Sequence, residues 1–491
     1  MKTKNILTMA ALALMMIACS NDDFTEQPIE QPVDNNNNEI TITATLAPKG
    51  NDGMRAVADN GDGKITVTWA VDEHLAILYT KDGNQMADAR ITAVDDVTGA
   101  ATITFTVEGG TPNNTDCQIV YPLSAAKSDK SGVKDAATLL AAQDGTLSAN
   151  LDVRVGAGKI QVSTPSLDVT TQPTAQFSIF KFTVKNVSNA AKTATEFKVS
   201  DNNGNVITTV TPGSATGTLY VALPVLATGM YWFNATIDSK AYIANANISA
   251  ATTTGKYYQS TIKFATIGDV ILSNGKFATK GTSGEQAVIA YVGKVDKYFD
   301  KFLALALTDA NGSLRTLANA QTDVNTYAAD HAITIGSTAY DTNTTSTYYD
   351  VVADNYNTTS ATATTLHQGW RIPSVTDWRY ILYGIYTQKN GLSLFARSGM
   401  SYTVSNATPT NPLGISDSME FFGGNFASSD DGSYNALNNA CGNTALKKTK
   451  GYWSSSQYSG SSRMWEYYIY DGVFAWCENS GEFYVRACFA F

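Results

Sequence analysis

The chain has 491 residues, only 16% of them charged, and a formal net charge of −10 at pH 7. An acidic balance with no basic stripe to displace counterions excludes nucleic acid, or an acidic membrane surface, as a partner. Five cysteines, widely spaced, exclude a disulfide scaffold.

Lys2 and Lys4 precede an almost unbroken apolar run from Ile6 to Ala18. That run is too short to span a bilayer and reads as the core of a secretory signal over residues 1–18. It ends at Met16-Ile17-Ala18-Cys19, which resembles the lipobox of bacterial lipoproteins, with Met16 where leucine is usual. The resemblance implies lipidation of Cys19. Ser20-Asn21-Asp22-Asp23 resembles the acidic export signal of Bacteroidetes lipoproteins, so the expected address is the exposed face of the outer membrane. No later segment is apolar for long enough to span, which leaves the lipid as the expected anchor. Residues 19–39, with Pro28, Pro32 and Asn35 to Asn38, read as a linker.

Structure begins where Ile40, Ile42, Ala44 and Leu46 alternate with Thr41, Thr43 and Thr45, a strand with one buried face. The pattern returns at Ile65-Val67-Trp69, Leu75 to Tyr79, Ile103-Phe105-Val107 and Ile119-Tyr121. Turn signals at Asp59-Asn60-Gly61 and Asp82-Gly83 separate these strands, and one short helix is expected at Ala136 to Ala142. Residues 40–170 therefore read as an antiparallel sandwich. A Thr/Ser/Gln-rich stretch at 162–176 separates it from a second β-region over 171–265. There the runs FSIFKFTVK, FKVS, VITTV, TLYVAL, YWFNATI and YYQSTIKF predict strands.

From Ile267 the texture changes to strands mixed with helices and long polar loops. Leu303 to Leu307 predicts a buried strand. Thr376 to Tyr386 carries Trp378, Ile381, Leu382 and Ile385 at helical spacing, with Ser374 and Asp377 placed as a capping box. Residues 398–450 are polar and aperiodic, which marks a binding loop. A closing meander is expected from Trp465 to Tyr470, Val473 to Cys477 and Phe483 to Phe489.

Residues 40–265 resemble the fimbrillins, the type V pilins of Bacteroidales. The residues that carry this are the threonine-alternating first strand, Met54-Arg55-Ala56, Val67-Thr68-Trp69 and Val71-Asp72-Glu73 leading into LAILY. IFKFTVK at 179–185 and YVALP at 220–224 fit the family's later strands. The resemblance implies two tandem transthyretin-like β-sandwiches and partner pilin subunits bound by donor-strand addition. It also implies cleavage after an arginine by a trypsin-like surface protease. Arg55 and Ala56 are the candidate cleavage pair, in a loop with Pro48, Gly50, Asn51, Asp52 and Gly53.

Residues 267–491 are similar to bacterial C-type-lectin-like domains, including the major paralogous type. GWRIPS at 369–374 with Trp378, GYWSSS at 451–456 and the closing Tyr484-Val485-Arg486 to Phe491 match their two signatures in order. The expected fold class is thus mainly β: two tandem transthyretin-like β-sandwiches followed by an α+β C-type-lectin-like domain. Trp370, Trp378, Trp453 and Trp465 suit a core that scaffolds long loops.

The lectin-like fold also hosts formylglycine-generating enzymes, which need a redox-active cysteine pair. A hairpin at Ser480-Gly481 sets Cys477 opposite Tyr484 and Cys488 opposite Val473, too far apart to react. Cys441 in the loop remains open as a partner for either. His74, His331 and His367 fall in no metal or triad pattern. Ser454 to Ser456 lack a nucleophile elbow. Asp59-Asn60-Gly61-Asp62-Gly63 starts like a calcium loop but has Ala70 at its twelfth position. No catalytic residue, metal or cofactor is expected. Asp417, Glu420, Asp430, Asp431, Tyr434 and Asn438 are the ligand-binding candidates in the long loop; its four acids could bind calcium, with solvated surface as their plainer reading. The functional expectation is a pilus tip subunit or pilus-associated adhesin. Its lectin-like domain would bind a host or bacterial surface glycan or protein. The alternative is a ligand-binding surface lipoprotein that never polymerises.

Overall fold

The computed structural model describes residues 39–49, 58–59, 65–66, 68–293, 301–345, 350–352, 358–361, 368–389, 437–442, 446–447, 451–458, 463–468 and 473–491. The protein is mainly β.

The first unit holds β1 (Ile40–Leu46), β2 (Ala58–Asp59), β3 (Ile65–Thr66), β4 (His74–Thr80), β5 (Asn84–Val94), β6 (Ala101–Val107), β7 (Thr115–Tyr121), β8 (Arg154–Gln161) and β9 (Ser166–Ala175). Apart from the β2–β3 pair, these strands of the expected antiparallel sandwich also close on themselves into a barrel, in the order β1-β6-β5-β4-β7-β8-β9. Period-two alternation turns Ile42, Leu46, Ile77, Ile91, Ile103, Phe105 and Ile119 into its core. β1 makes a seven-pair antiparallel ladder with β6, from Ile40↔Val107 to Leu46↔Ala101. Its other side meets β9 in one parallel pair, Thr43↔Ser166. Pro173 in β9 has no N–H to give, and it falls where the ladder to β8 shifts register, between Thr171 and Thr174. Gly156 lets β9 lie close, because a Cβ there would meet Thr171 O at 2.6 Å and the Pro173 nitrogen at 2.8 Å.

Three expectations change here. The polar stretch at 162–176 is mostly the strand β9, whose side chains are largely exposed. The strand expected from Ile65 to Trp69 covers only Ile65–Thr66, while Trp69 is buried outside any strand. β5 was unforeseen because its inward residues include Ala87 and Ala89, a weak apolar signal.

α1 (Ala136–Ala141) begins on Asp135, whose side chain accepts the Thr138 N–H. Leu140, Ala76, Leu78 and Val120 pack on Phe177, Ile179 and Ala222 of the second unit. The buried Gln143 joins this seam by bonding both backbone groups of Ala222.

The second unit holds β10 (Ser178–Asn186), β11 (Glu196–Asp201), β12 (Val206–Val210), β13 (Thr218–Leu223), β14 (Gly229–Ile237), β15 (Lys240–Ile248) and β16 (Tyr257–Phe264). Sheets β13-β10-β16 and β12-β11-β14-β15 enclose Phe182, Phe197, Phe233 and Phe264.

The third unit holds β17 (Val270–Leu272), β18 (Phe277–Ala278), β19 (Glu285–Val292), β20 (Phe302–Ala306), β21 (Asn311–Arg315), α2 (Leu317–Asp330), β22 (Ile333–Ile335), β23 (Thr338–Tyr340), β24 (Asp350–Val352), β25 (Thr358–Ala361) and β26 (Gly369–Arg371). α3 (Val375–Leu382) follows and runs on into a π-helical turn, Tyr383–Lys389. The chain closes with β27 (Tyr452–Tyr458), β28 (Arg463–Tyr468), β29 (Val473–Glu478), β30 (Phe483–Val485) and β31 (Cys488–Ala490). One sheet runs β18-β17-β19-β20-β31-β26, and a second runs β21-β30-β27-β24-β25 with β28 and β29 branching from β27.

The closing meander is corrected. β28 and β29 do pair, but after the turn at Gly481 the chain crosses to the other side of β27. β30 pairs with β21 and, in parallel, with β27, while β31 inserts between β20 and β26. Cys477 therefore lies opposite Met464, not Tyr484. Cys488 lies opposite Leu305 and Arg371, not Val473. Among the described residues Cys117, Cys441, Cys477 and Cys488 form no disulfide.

The second and third units share one core. Trp232, Ile243 and Ala265 pack with Phe302, Trp370, Phe489 and Phe491.

Candidate functional site

The strand β1 turns Ile42, Ala44 and Leu46 into the barrel and Thr41, Thr43 and Thr45 to solvent. Each large aliphatic side chain buried this way contributes roughly 1.5–3 kcal/mol. The chain leaving β1 is tied down twice. The Trp69 indole N–H donates to Ala47 O at 2.8 Å, and the Ala47 N–H donates to Gln172 Oε1 at 3.0 Å.

Two residues further on, Lys49 plugs the end of the barrel with its side chain 0% exposed. Its ammonium lies 3.2 Å from Glu73 Oε2 and 3.6 Å from Asp152 Oδ2. It also stands over two rings, 3.6 Å from the centroid of Tyr121 and 4.3 Å from that of Trp69. The ring quadrupoles and the carboxylates together replace the water such a cation gives up. Arg154 completes the set: Nε donates to both Asp152 oxygens at 2.9 Å, and Nη1 donates to Lys49 O at 2.6 Å. The Tyr121 hydroxyl donates to Glu73 Oε1 at 2.5 Å. Burial lowers the Lys49 pKa, opposed by Asp152 and Glu73. Burial raises that of Asp152, opposed by Arg154. Nothing local in the sequence pointed to Lys49, because Arg154 lies 105 residues away.

The cleavage candidates Arg55 and Ala56 and the lipidation candidate Cys19 lie outside the described residues. So do Asp417, Glu420, Asp430, Asp431 and Tyr434 of the long loop. Asn438 is described, and its Oδ1 accepts the Leu446 N–H at 3.2 Å, which ties two points of the loop together.

The signature residues of the third unit form its scaffold. Arg371 and Asp377, both 0% exposed, pair at 2.5 Å and 3.0 Å. The capping box is present in both directions: Ser374 N–H donates to Asp377 Oδ2 at 2.9 Å, and Asp377 N–H donates to Ser374 Oγ at 3.0 Å. The indole N–H groups of Trp370 and Trp453 donate to the carbonyls of His331 and Arg315, at 3.0 Å and 2.6 Å. Arg486 bonds Asp309 Oδ1 at 2.8 Å and the carbonyls of Ala306 and Leu307. Ser454, Ser455 and Ser456 are buried, and Ser456 Oγ accepts the Val375 N–H at 2.9 Å.

His74 pairs with Asp88 at 2.7 Å, and His331 stacks on Tyr327. Burial pushes the Cys477 thiol up to about 12 and raises those of Cys441 and Cys488, which makes them poor nucleophiles. Among the described residues no group of His, Cys, Asp and Glu could hold a metal, and no helix is long and apolar enough to cross a membrane.

No family model matches the chain, and no curated protein does. Among solved structures it is similar to a fimbrial protein from Bacteroides ovatus at 10% identity, covering 93% of this chain and 100% of that one, with a TM-score of 0.23. It is similar to a fimbrial assembly protein from Parabacteroides distasonis at 11% identity, covering 45% and 90%, with a TM-score of 0.27. It is also similar to the tip fimbrial protein of Porphyromonas gingivalis at 8% identity, covering 46% and 98%, with a TM-score of 0.22. Likenesses this remote carry no weight for what this chain does.

Proposed function

We propose that this chain is a cell-surface subunit of a fimbrial assembly that accepts a strand from a neighbour in place of β1, keeps its own β31, and so ends a fibre. The observation that carries this is the contrast between β1 and β31. β1 is laddered along one side and meets β9 in a single pair, and Arg55 follows it within ten residues. Losing β1 leaves the backbone groups of β6 unpaired beside an apolar groove, which is a demand for a replacement strand. β31 is the opposite case, held between β20 and β26 with Phe489 and Phe491 buried. Drawing it out would break two ladders and expose both rings at roughly 1.5–3 kcal/mol each.

Lipidation at Cys19 and cleavage between Arg55 and Ala56 belong to the same reading. So does a C-type-lectin-like third unit that presents residues 398–450 to a host or microbial glycan or protein. The scaffold role of GWRIPS and GYWSSS supports that last part. Immunogold labelling is expected to mark fibre ends, one site per fibre, on subunits whose N-terminus by mass spectrometry is Ala56. Labelling at regular intervals along shafts, or assembled subunits that begin at Cys19, would overturn the proposal.

A further inference from the structure

The seat of β1 has a charged end as well as an apolar floor. With Lys49 in place, two cations (Lys49 and Arg154) face two carboxylates (Glu73 and Asp152). A cut after Arg55 that released β1 would take Lys49 with it. What remains is two carboxylates against one guanidinium, at a site walled by the Trp69 and Tyr121 rings, which meet edge-on at 5.2 Å. An apolar strand alone would fill the groove of Ile42, Ala44 and Leu46 and leave that excess negative charge buried. A buried charge left without its partner is strongly unfavourable.

We infer that the seat selects its incoming strand by a cation: the donor must carry a lysine or arginine three residues beyond its last core-facing apolar residue, where Lys49 follows Leu46. The occupant is a strand of a partner subunit with apolar residues at alternate positions and a positive side chain at that offset. This rests on strand replacement at β1 and adds what the replacement must look like. Backbone pairing to β6 is indifferent to sequence, and three apolar contacts tolerate many side chains, so this end of the seat is where a wrong strand is refused. Lys49 itself is the template, since its ammonium reaches Glu73, Asp152 and both rings at once.

The test uses the full chain with residues 51–54 replaced by the site of a sequence-specific protease, folded and then cut. Fluorescent peptides copying residues 39–49 are offered to it, one natural, one with Lys49→Arg and one with Lys49→Met, and their uptake is followed by anisotropy. The natural and arginine peptides are expected to enter with similar affinity, and the methionine peptide about tenfold or more weakly. Only the peptide varies, so folding of the receiver is constant. Equal uptake of the methionine peptide would overturn the cation requirement while leaving strand replacement standing. If the natural peptide never displaces the resident strand, strand replacement itself fails and the requirement falls with it. A receiver carrying Asp152→Asn should lose most of the preference for lysine over methionine. A preference that survives unchanged in that receiver, and in one with Glu73→Gln, would mean that lysine is favoured for shape and not for charge.

Discussion

Replacing Trp232 by alanine removes the ring that joins the second and third units. Trp232 is 0% exposed, with its ring 4.9 Å from that of Phe491 and 6.2 Å from that of Phe302, and its indole N–H donates to Asn202 Oδ1 at 3.2 Å. Large-to-small changes of buried tryptophan cost about 3–5 kcal/mol. The upper part of that range applies, because the ring is enclosed by elements of both units and neither can collapse onto the space alone. With an m-value of roughly 3 kcal/mol/M in urea for a unit of this size, the midpoint should fall by about 1.3–1.7 M. Far-UV circular dichroism is the suitable probe, since the substitution removes a fluorophore. Residues 177–491 should unfold in one transition before the change, and both units should be destabilised after it. A loss below about 1 kcal/mol, or a second unit whose transition does not move, would refute the claim that they share a core.

The buried pair in the third unit gives a second expectation. Arg371→Met leaves the Asp377 charge at a site that is 0% exposed, and should cost about 3–5 kcal/mol by chemical denaturation, part of it recovered in Arg371→Met with Asp377→Asn. Identical losses in the single and double variants would show that the charge is not what matters. A third concerns acid. Backbone N–H groups of Thr98, Ser131 and Thr138 hold Asp95, Asp129 and Asp135 below their ordinary value of 3.8, and the Thr146 hydroxyl does the same for Asp144. A depressed folded-state value means stability present above about pH 3.8 and lost as pH falls through the lower value. The first unit should therefore weaken below pH 4, and changing all four residues to asparagine should flatten that limb of its pH–stability curve. An unchanged acid limb would exclude these turns as its cause.

The elements that were legible in the sequence carry aliphatic or aromatic residues at a clean period. β1, β4, β6 and the strands of the second unit advertise their buried faces, and Ser374 with Asp377 announces the start of α3. What was not legible fills its interior with small residues: Ala87 and Ala89 in β5, Gly156 and Gly158 in β8, Ala320 and Ala328 in α2. Period counts pass over such positions, although they are where backbones approach most closely. The crossing after Gly481 escaped for a different reason. A turn signal says that the chain reverses but does not say which strand it will meet, and here β21 and β27 take β30. The Lys49 cluster is illegible in the same sense, since its members come together only when the barrel closes.

The seam between the second and third units has a mechanical consequence. β16 ends at Phe264 and β17 begins at Val270, and between them Ala265 is buried and exchanges two 2.8 Å hydrogen bonds with Ile243. A pull on the third unit thus reaches the sandwich through packed rings and paired strands, without slack to take up first. Within the third unit the pull meets β31 between two antiparallel neighbours, so the strand cannot be peeled from an open edge, and both ladders must yield before it slips. A third unit joined in this way does not swivel on the second. It keeps the orientation of the sandwich it stands on.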